Sequence, residues 1–132
     1  SEAGITLDII DYFKDKKKIL GVCLGFQAIA KYFGADILKA NEPTHGLTSK
    51  IFFKPDEKLF YGFKQGFSAT RYHSLIVKNI EKSKGKIQKT AWLKDDTLMS
   101  LRVGENIVGV QFHPEAILTQ NGIEIFKNFL SM

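Results

Sequence analysis

The chain has 132 residues, enough for one domain with a core of its own. Its 44% hydrophobic and 25% charged content excludes a disordered or fibrous chain, and no apolar run reaches the roughly 20 residues that span a bilayer. The net charge of +5 rests on lysines scattered along the chain, with Arg71 and Arg102 the only arginines. That spread reads as a solvated surface, because nucleic-acid readers concentrate arginine forks in one patch. A lone cysteine cannot form an internal disulfide and fits a reducing, cytoplasmic setting. Glu2 and Asp8 stand where a signal peptide would be basic.

Hydrophobic spacing predicts a first helix over 1–14, capped by Ser1, with Ile5, Ile9, Tyr12 and Phe13 on one face. Ile19 to Cys23 reads as a short buried strand. Gly25 to Phe33 follows as a helix closed by Gly34, its stripe made by Ala28, Ile29, Tyr32 and Phe33. Strands are expected at 37–40 and 49–53 around a loop marked by Pro43 and Gly46, then turns over 54–66. Further strands are expected at 67–72 and 75–77. Lys94, Asp95 and Asp96 separate two strand patterns, 87–93 and 97–103, as a hairpin. Ile107 to Phe112 is almost wholly apolar and reads as a central strand. A last helix, 122–130, is expected to turn Ile123, Phe126 and Leu130 to the core. The order implies a single α/β domain over 1–132: a three-layer, open, mostly parallel sheet with flanking helices and an added antiparallel hairpin. Ligands of such sheets bind at the carboxyl ends of strands, where Cys23 and His113 both fall.

In "GVCLG" a strand meets a helix with glycines two residues to each side of Cys23. That is the spacing of a nucleophile elbow. Amides at the helix start and the helix field favour a thiolate there, and the Leu24 N–H is a candidate oxyanion donor. Cys23 as an ordinary small core residue remains the alternative on this motif alone. The strand at 107–112 ends in "HPE". Pro114 stops it, so that His113 can serve as base and Glu115 as the carboxylate that orients it. Zinc is not expected, since Cys23, His45, His73 and His113 lack closely spaced ligand pairs.

At these residues the chain resembles the class I glutamine amidotransferases. "GVCLGFQAIA" at 21–30 is similar to the family's nucleophile turn, and "GVQFHPE" at 109–115 to its base-and-acid segment. "TRYHSL" at 70–75, with "THGLTSKI" at 44–51 and "TAW" at 90–92, resembles the glutaminase subunits of anthranilate and aminodeoxychorismate synthases. The resemblance implies glutamine hydrolysis by Cys23, His113 and Glu115. Gln27 is implied as a contact to substrate glutamine, Leu24 as one oxyanion donor, and Ser74 and Leu75 as the stretch receiving the substrate's α-carboxylate and amino end. It implies no cofactor or metal. The implied partner is a chorismate-binding synthase subunit, with neither nucleic acid nor membrane. His73 is implied at the substrate wall or partner contact, His45 near the interface, and Arg71 as a loop tie or partner contact. Trp92 reads as core.

Three positions depart from the branch: Phe26 stands where histidine is usual, Leu47 where lysine or arginine is common, and Ala116 where serine is usual. "SEAG" at 1–4 is similar to the family's sequence just after a glycine- and proline-rich loop that lends the other oxyanion N–H. The domain is therefore expected to be N-terminally incomplete, with an exposed sheet edge and weak hydrolysis on its own. Amidotransferases of guanylate or carbamoyl phosphate synthesis, a γ-glutamyl hydrolase, and a non-catalytic binding fragment are the competing readings. "TRYHSL" argues against the guanylate and carbamoyl phosphate systems.

Overall fold

Connection length decides how these strands pair. Two strands joined by a few residues must run antiparallel, whereas a parallel pair needs a long crossover. The computed structural model describes residues 2–40, 47–116 and 118–132, and for 2–7 and 47 the backbone alone. In chain order it has α1 (Glu2–Phe13), β1 (Ile19–Val22), α2 (Leu24–Tyr32), β2 (Asp36–Lys39), β3 (Leu47–Phe53), β4 (Phe67–Arg71), β5 (Leu75–Lys78), β6 (Ile87–Trp92), β7 (Leu98–Val103), β8 (Ile107–Val110) and α3 (Ile123–Ser131). Short 3₁₀ turns lie at Lys58–Phe60 and Ile80–Ser83. Ser1, Pro43, His45 and Gly46 fall outside the described residues, as do the side chains of Ile5 and Leu47.

The main sheet runs β1-β8-β7-β6-β3-β4, and β2 pairs with β5 in a separate ribbon. Only β1 and β8 are parallel; the other pairs are antiparallel. The α/β class holds, but the expected mostly parallel sheet is corrected to a mixed one. Among the described strands only β1 and β8 are parallel neighbours, while β6, β7 and β8 follow one another through tight turns. At the first of these, Asp96 takes a positive φ of 69° and Asp95 Oδ1 accepts from the Thr97 N–H at 3.0 Å. β8 lies inside the sheet, between β1 and β7, and all four of its residues are buried.

Side-chain alternation gives the sheet two covered faces. Ile19 and Ile107 join Phe26, Ile29 and Ala30 of α2 and Ile10 of α1 in one cluster. Leu20, Val22, Val108 and Val110 join Phe112, an aromatic group around Phe60 and Phe67, and Ile125 of α3 in the other. The helices do not all turn the predicted residues inward. In α1 it is Ile10 that is buried, with Ile9 and Tyr12 exposed. In α3 Ile125 is buried and Phe129 packs beside it, while Ile123 and Leu130 face solvent. Both helices carry two apolar stripes, so spacing alone leaves the rotation open. For α3 it is set at Gly122, where a Cβ would fall 1.8 Å from the Pro114 carbonyl oxygen. On α2 Ala28, Tyr32 and Phe33 are partly buried, as the stripe implied, and Phe26, Gln27 and Ala30 add to it. Gly34, at φ 104°, ends that helix.

One buried ion pair ties the 57–60 turn to β7. The Arg102 guanidinium meets both Glu57 oxygens, at 2.7 and 2.6 Å, and the same carboxylate accepts from the Leu59 N–H at 2.9 Å.

The contact that positions the site is between β1 and α2. A Cβ on Gly21 would lie 2.6 Å from Ile29 Cδ1 and 2.7 Å from the Gly25 backbone, and one on Gly109 3.1 Å from Phe26 Cδ1. These two glycines leave a trough in which α2 lies. Gly25 itself has open space where a Cβ would go, so its contribution is the backbone that Gly21 admits. Gly21→Ala should therefore lower the urea midpoint by an amount worth about 1–3 kcal/mol, the usual range for overpacking. Gly25→Ala should leave stability unchanged. Equal effects of the two would contradict this packing account.

Candidate functional site

At the end of β1 the chain turns on one residue. Cys23 has φ 54° and ψ −100°, a backbone state that side-chain-bearing residues rarely adopt. Its N–H still bonds the Val110 carbonyl at 2.9 Å, extending the β1–β8 ladder by one rung. Its carbonyl already accepts from the Gln27 N–H at 3.1 Å, opening α2. Held from both sides, Cys23 stands at the mouth of a cleft of about 490 Å³.

Six of the seven predicted site residues line that cleft: Cys23, Leu24, Gln27, Ser74, Leu75 and His113. The seventh, Glu115, reaches it through His113, whose Nδ1 lies 2.5 Å from Glu115 Oε1. A carboxylate oxygen can only accept, so Nδ1 carries a proton, and in the neutral ring it is Nε2 that has the lone pair. The His113 backbone is anchored at both ends. Its N–H bonds Thr70 of β4 at 3.0 Å, and its carbonyl accepts from the Thr119 hydroxyl at 2.6 Å. β4 is the far edge of the sheet, so the first of these contacts requires the sheet to curl. The Tyr72 ring stands edge-on to the imidazole, with centroids 5.3 Å apart.

The opposite wall is polar and buried. His73 donates from Nδ1 to the Leu75 carbonyl at 2.9 Å, and its Nε2 accepts from Arg71 Nε at 3.0 Å. Arg71 also donates to the Ser49 hydroxyl at 3.0 Å, tying β3 to β4. Gln27 Nε2 donates to the Leu75 carbonyl at 3.4 Å and to Gln111 Oε1 at 3.2 Å. Gln111 Nε2 lies 3.6 Å from Cys23 Sγ, and the thiol faces the Tyr72 carbonyl at 3.9 Å. Gln111 is the residue that the sequence reading missed. Its signal was a glutamine inside the apolar run "IVGVQF", since a fully buried amide requires partners.

Burial pushes the Cys23 thiol above its ordinary pKa, and the Glu115 charge adds to this. The Leu24 backbone N–H and the Gln111 amide pull it back only in part. This corrects the expectation that the helix start leaves the thiol acidified: desolvation outweighs the donors. Burial likewise holds His73 below the usual histidine range, helped by the Arg71 charge and by His113. Among the described residues no three His, Cys, Asp or Glu side chains converge as metal ligands, and no helix is long and apolar enough to cross a membrane.

The family model for glutamine amidotransferase class-I matches residues 1–132. The chain belongs to the class I glutamine amidotransferase family. It is 45% identical to anthranilate synthase component 2 of Pseudomonas putida, over 98% of this chain and 68% of that protein. It is 47% identical to aminodeoxychorismate/anthranilate synthase component 2 of Bacillus subtilis, over 98% and 66%. The chain thus spans about two thirds of the length of these relatives. A solved Thermoplasma acidophilum structure, provisionally named for GMP synthase, matches with a TM-score of 0.85 at 29% identity, over 98% of this chain and 62% of that one.

Within this amidotransferase fold the two cleft imidazoles differ in what they can do. Both His73 nitrogens are engaged, whereas the His113 Nε2 has no hydrogen-bond partner among the described residues. His73 also sets a pH dependence. A histidine whose pKa is depressed on folding stabilises the fold above the unfolded value near 6.5, and that contribution is lost as pH falls below it. The urea midpoint should therefore drop as pH falls below about 6.5, and His73→Gln should flatten that slope. An unchanged slope in the variant would remove His73 as its cause.

Proposed function

We propose that this chain hydrolyses glutamine to glutamate and ammonia through a thioester on Cys23. We further propose that the ammonia goes to a chorismate-binding synthase subunit, in anthranilate or 4-amino-4-deoxychorismate synthesis. The observation that carries the reading is one cleft lined by an elbow cysteine and by a histidine whose Nδ1 is held by a carboxylate. The component 2 names of the relatives support the choice of partner, as does "TRYHSL", whose Tyr72, His73, Ser74 and Leu75 form a wall of that cleft.

The geometry supports a stepwise account. The thiol proton passes to His113 Nε2 as sulfur attacks the side-chain amide carbon of glutamine, and Glu115 stabilises the imidazolium so formed. The oxyanion is met by the Leu24 N–H, freed from sulfur as the C–S bond forms. The imidazolium then protonates the departing nitrogen, releasing ammonia and leaving a γ-glutamyl thioester. His113 next takes a proton from water, hydroxide adds to the thioester carbon, and glutamate leaves as the thiol is restored. Gln27 has both amide hydrogens committed within the protein, so only its Oε1 is left for the substrate, an acceptor suited to the α-ammonium. Thioester chemistry of this kind needs no cofactor. Cytoplasmic localisation and a heteromeric complex complete the proposal.

A diazo-ketone analogue of glutamine should form one adduct on Cys23. The adduct should be absent in Cys23→Ala and suppressed by excess glutamine. His113→Asn should slow it by about 10²- to 10⁴-fold, the usual worth of general acid–base catalysis. With chorismate and a synthase subunit, glutamine should yield anthranilate or aminodeoxychorismate. A folded protein that takes up no analogue would overturn the hydrolase reading; adduct formation without any aminated product would overturn only the choice of partner.

A further inference from the structure

Two buried glutamines face each other behind Cys23, and their amide orientations are fixed by a single atom. The Leu75 carbonyl oxygen can only accept, so the group that Gln27 presents to it at 3.4 Å is its NH₂. The second Nε2 hydrogen then points to Gln111, which must answer with its oxygen, at 3.2 Å. Gln111 has no choice left: its NH₂ end faces Cys23 Sγ at 3.6 Å. The Leu75 carbonyl is itself held by His73 Nδ1, which Arg71 polarises from the other side of the ring. Orientations that are ordinarily matters of assignment are here dictated from end to end. Gln111 is fully buried and Gln27 nearly so, so neither amide has water to turn toward instead.

We propose that Gln111 is a positioning residue for the nucleophile, its amide locked by Gln27 and the Leu75 carbonyl so that it donates to Cys23 Sγ and favours the thiolate. An amide turned the other way would set an oxygen against the sulfur and disfavour it. The relay also joins the strand that lines the substrate side of the cleft to the sulfur: displacing Leu75 loosens Gln27, and through it Gln111. The titratable groups around Cys23 are His113 and Glu115 from the segment after β8 and His73 from the β4–β5 connection. Of these, Glu115 opposes the thiolate, whereas the non-titrating Gln111 amide assists it.

The inference rests on Cys23 being the nucleophile, but its test does not need glutamine. Cys23 is the only cysteine, so the pH profile of alkylation by iodoacetamide reads this thiol alone. In Gln111→Met, close to isosteric, the midpoint should rise by about one pH unit, the worth of a modest hydrogen bond to a charged group. Gln111→Glu should raise it further, and Gln27→Met should raise it less by freeing the Gln111 amide to turn. Circular dichroism checks that each variant is folded. In the unsubstituted protein, the Gln111 side-chain amide resonance should titrate together with the thiol, a readout that depends on no variant. A wild-type midpoint in folded Gln111→Met, or a Gln111 resonance that ignores the thiol titration, would overturn the relay. Shifted midpoints with no analogue adduct on the wild type would leave the relay standing and remove the hydrolase reading; the reverse pattern would do the opposite.

Discussion

Helix α2 lies so close upon β1 that a single methyl group does not fit between them. That constraint forces the strand-to-helix reversal into one residue, and Cys23 absorbs it with a positive φ. A backbone state of this kind costs about 1–3 kcal/mol and persists only where its surroundings over-determine it. Here they do. The Cys23 amide is held by β8, its carbonyl by α2, and the trough at Gly21 and Gly109 is filled by Ile29 and Phe26. The strain lifts the side chain clear of the sheet and into the cleft. Substituting another residue for Cys23 would leave this turn in place; widening the trough would not.

Polar groups behind the sulfur follow from the same closeness. Once α2 is pressed onto the sheet, Gln27 and Gln111 are taken out of water, and each must find partners inside. They find one another, the Leu75 carbonyl and Cys23. The thiol is desolvated by the packing that positions it, and burial raises its pKa against the pull of the Leu24 and Gln111 donors. Under the proposed chemistry, a thiol so raised would keep its proton until a base takes it. Partial desolvation also strengthens each dipole aimed at the sulfur, since charge there is screened less than in bulk water.

Much of this was legible in the chain, and for physical reasons. The 21–25 turn and the 109–115 segment combine residues whose backbone limits are strong, glycine and proline, with residues whose chemistry is narrow, cysteine and histidine. Such segments leave few alternatives. The 94–96 hairpin was legible because short polar residues such as Asp95 and Asp96 favour turns between apolar strand patterns. What escaped depended on contacts between distant segments. Periodicity placed α1 and α3 correctly along the chain but turned them wrongly, because Ile9 and Ile10, or Ile123 and Ile125, offer two apolar faces. Only the approach of Gly122 to Pro114 selects one for α3. The sheet was expected to be mostly parallel because its order of elements resembles that of parallel folds; strand order and turn length decide otherwise. Gln111 was passed over because, read locally, it interrupts an apolar strand. Its meaning appears only when Gln27, 84 positions away, is set beside it.

The same reasoning separates the two histidines of the cleft, which the sequence leaves alike in chemistry. Arg71 brings a permanent charge to within hydrogen-bonding distance of His73, and the Leu75 carbonyl takes the other ring proton. To become charged, His73 would have to place a proton on the nitrogen that already receives one from a guanidinium, in a buried position. His113 meets the reverse conditions. It is more open to solvent, faces a carboxylate rather than a cation, and has one nitrogen without a hydrogen-bond partner among the described residues. Burial and neighbouring charge thus set two identical rings apart: His73 is biased against a charge and braces the wall around Leu75, whereas His113 meets a carboxylate, the arrangement that the proposed base role requires. The division depends on Arg71 as much as on Glu115. Arg71, by donating to His73 Nε2, disfavours a charge on that ring and so bears on the proposed division of roles.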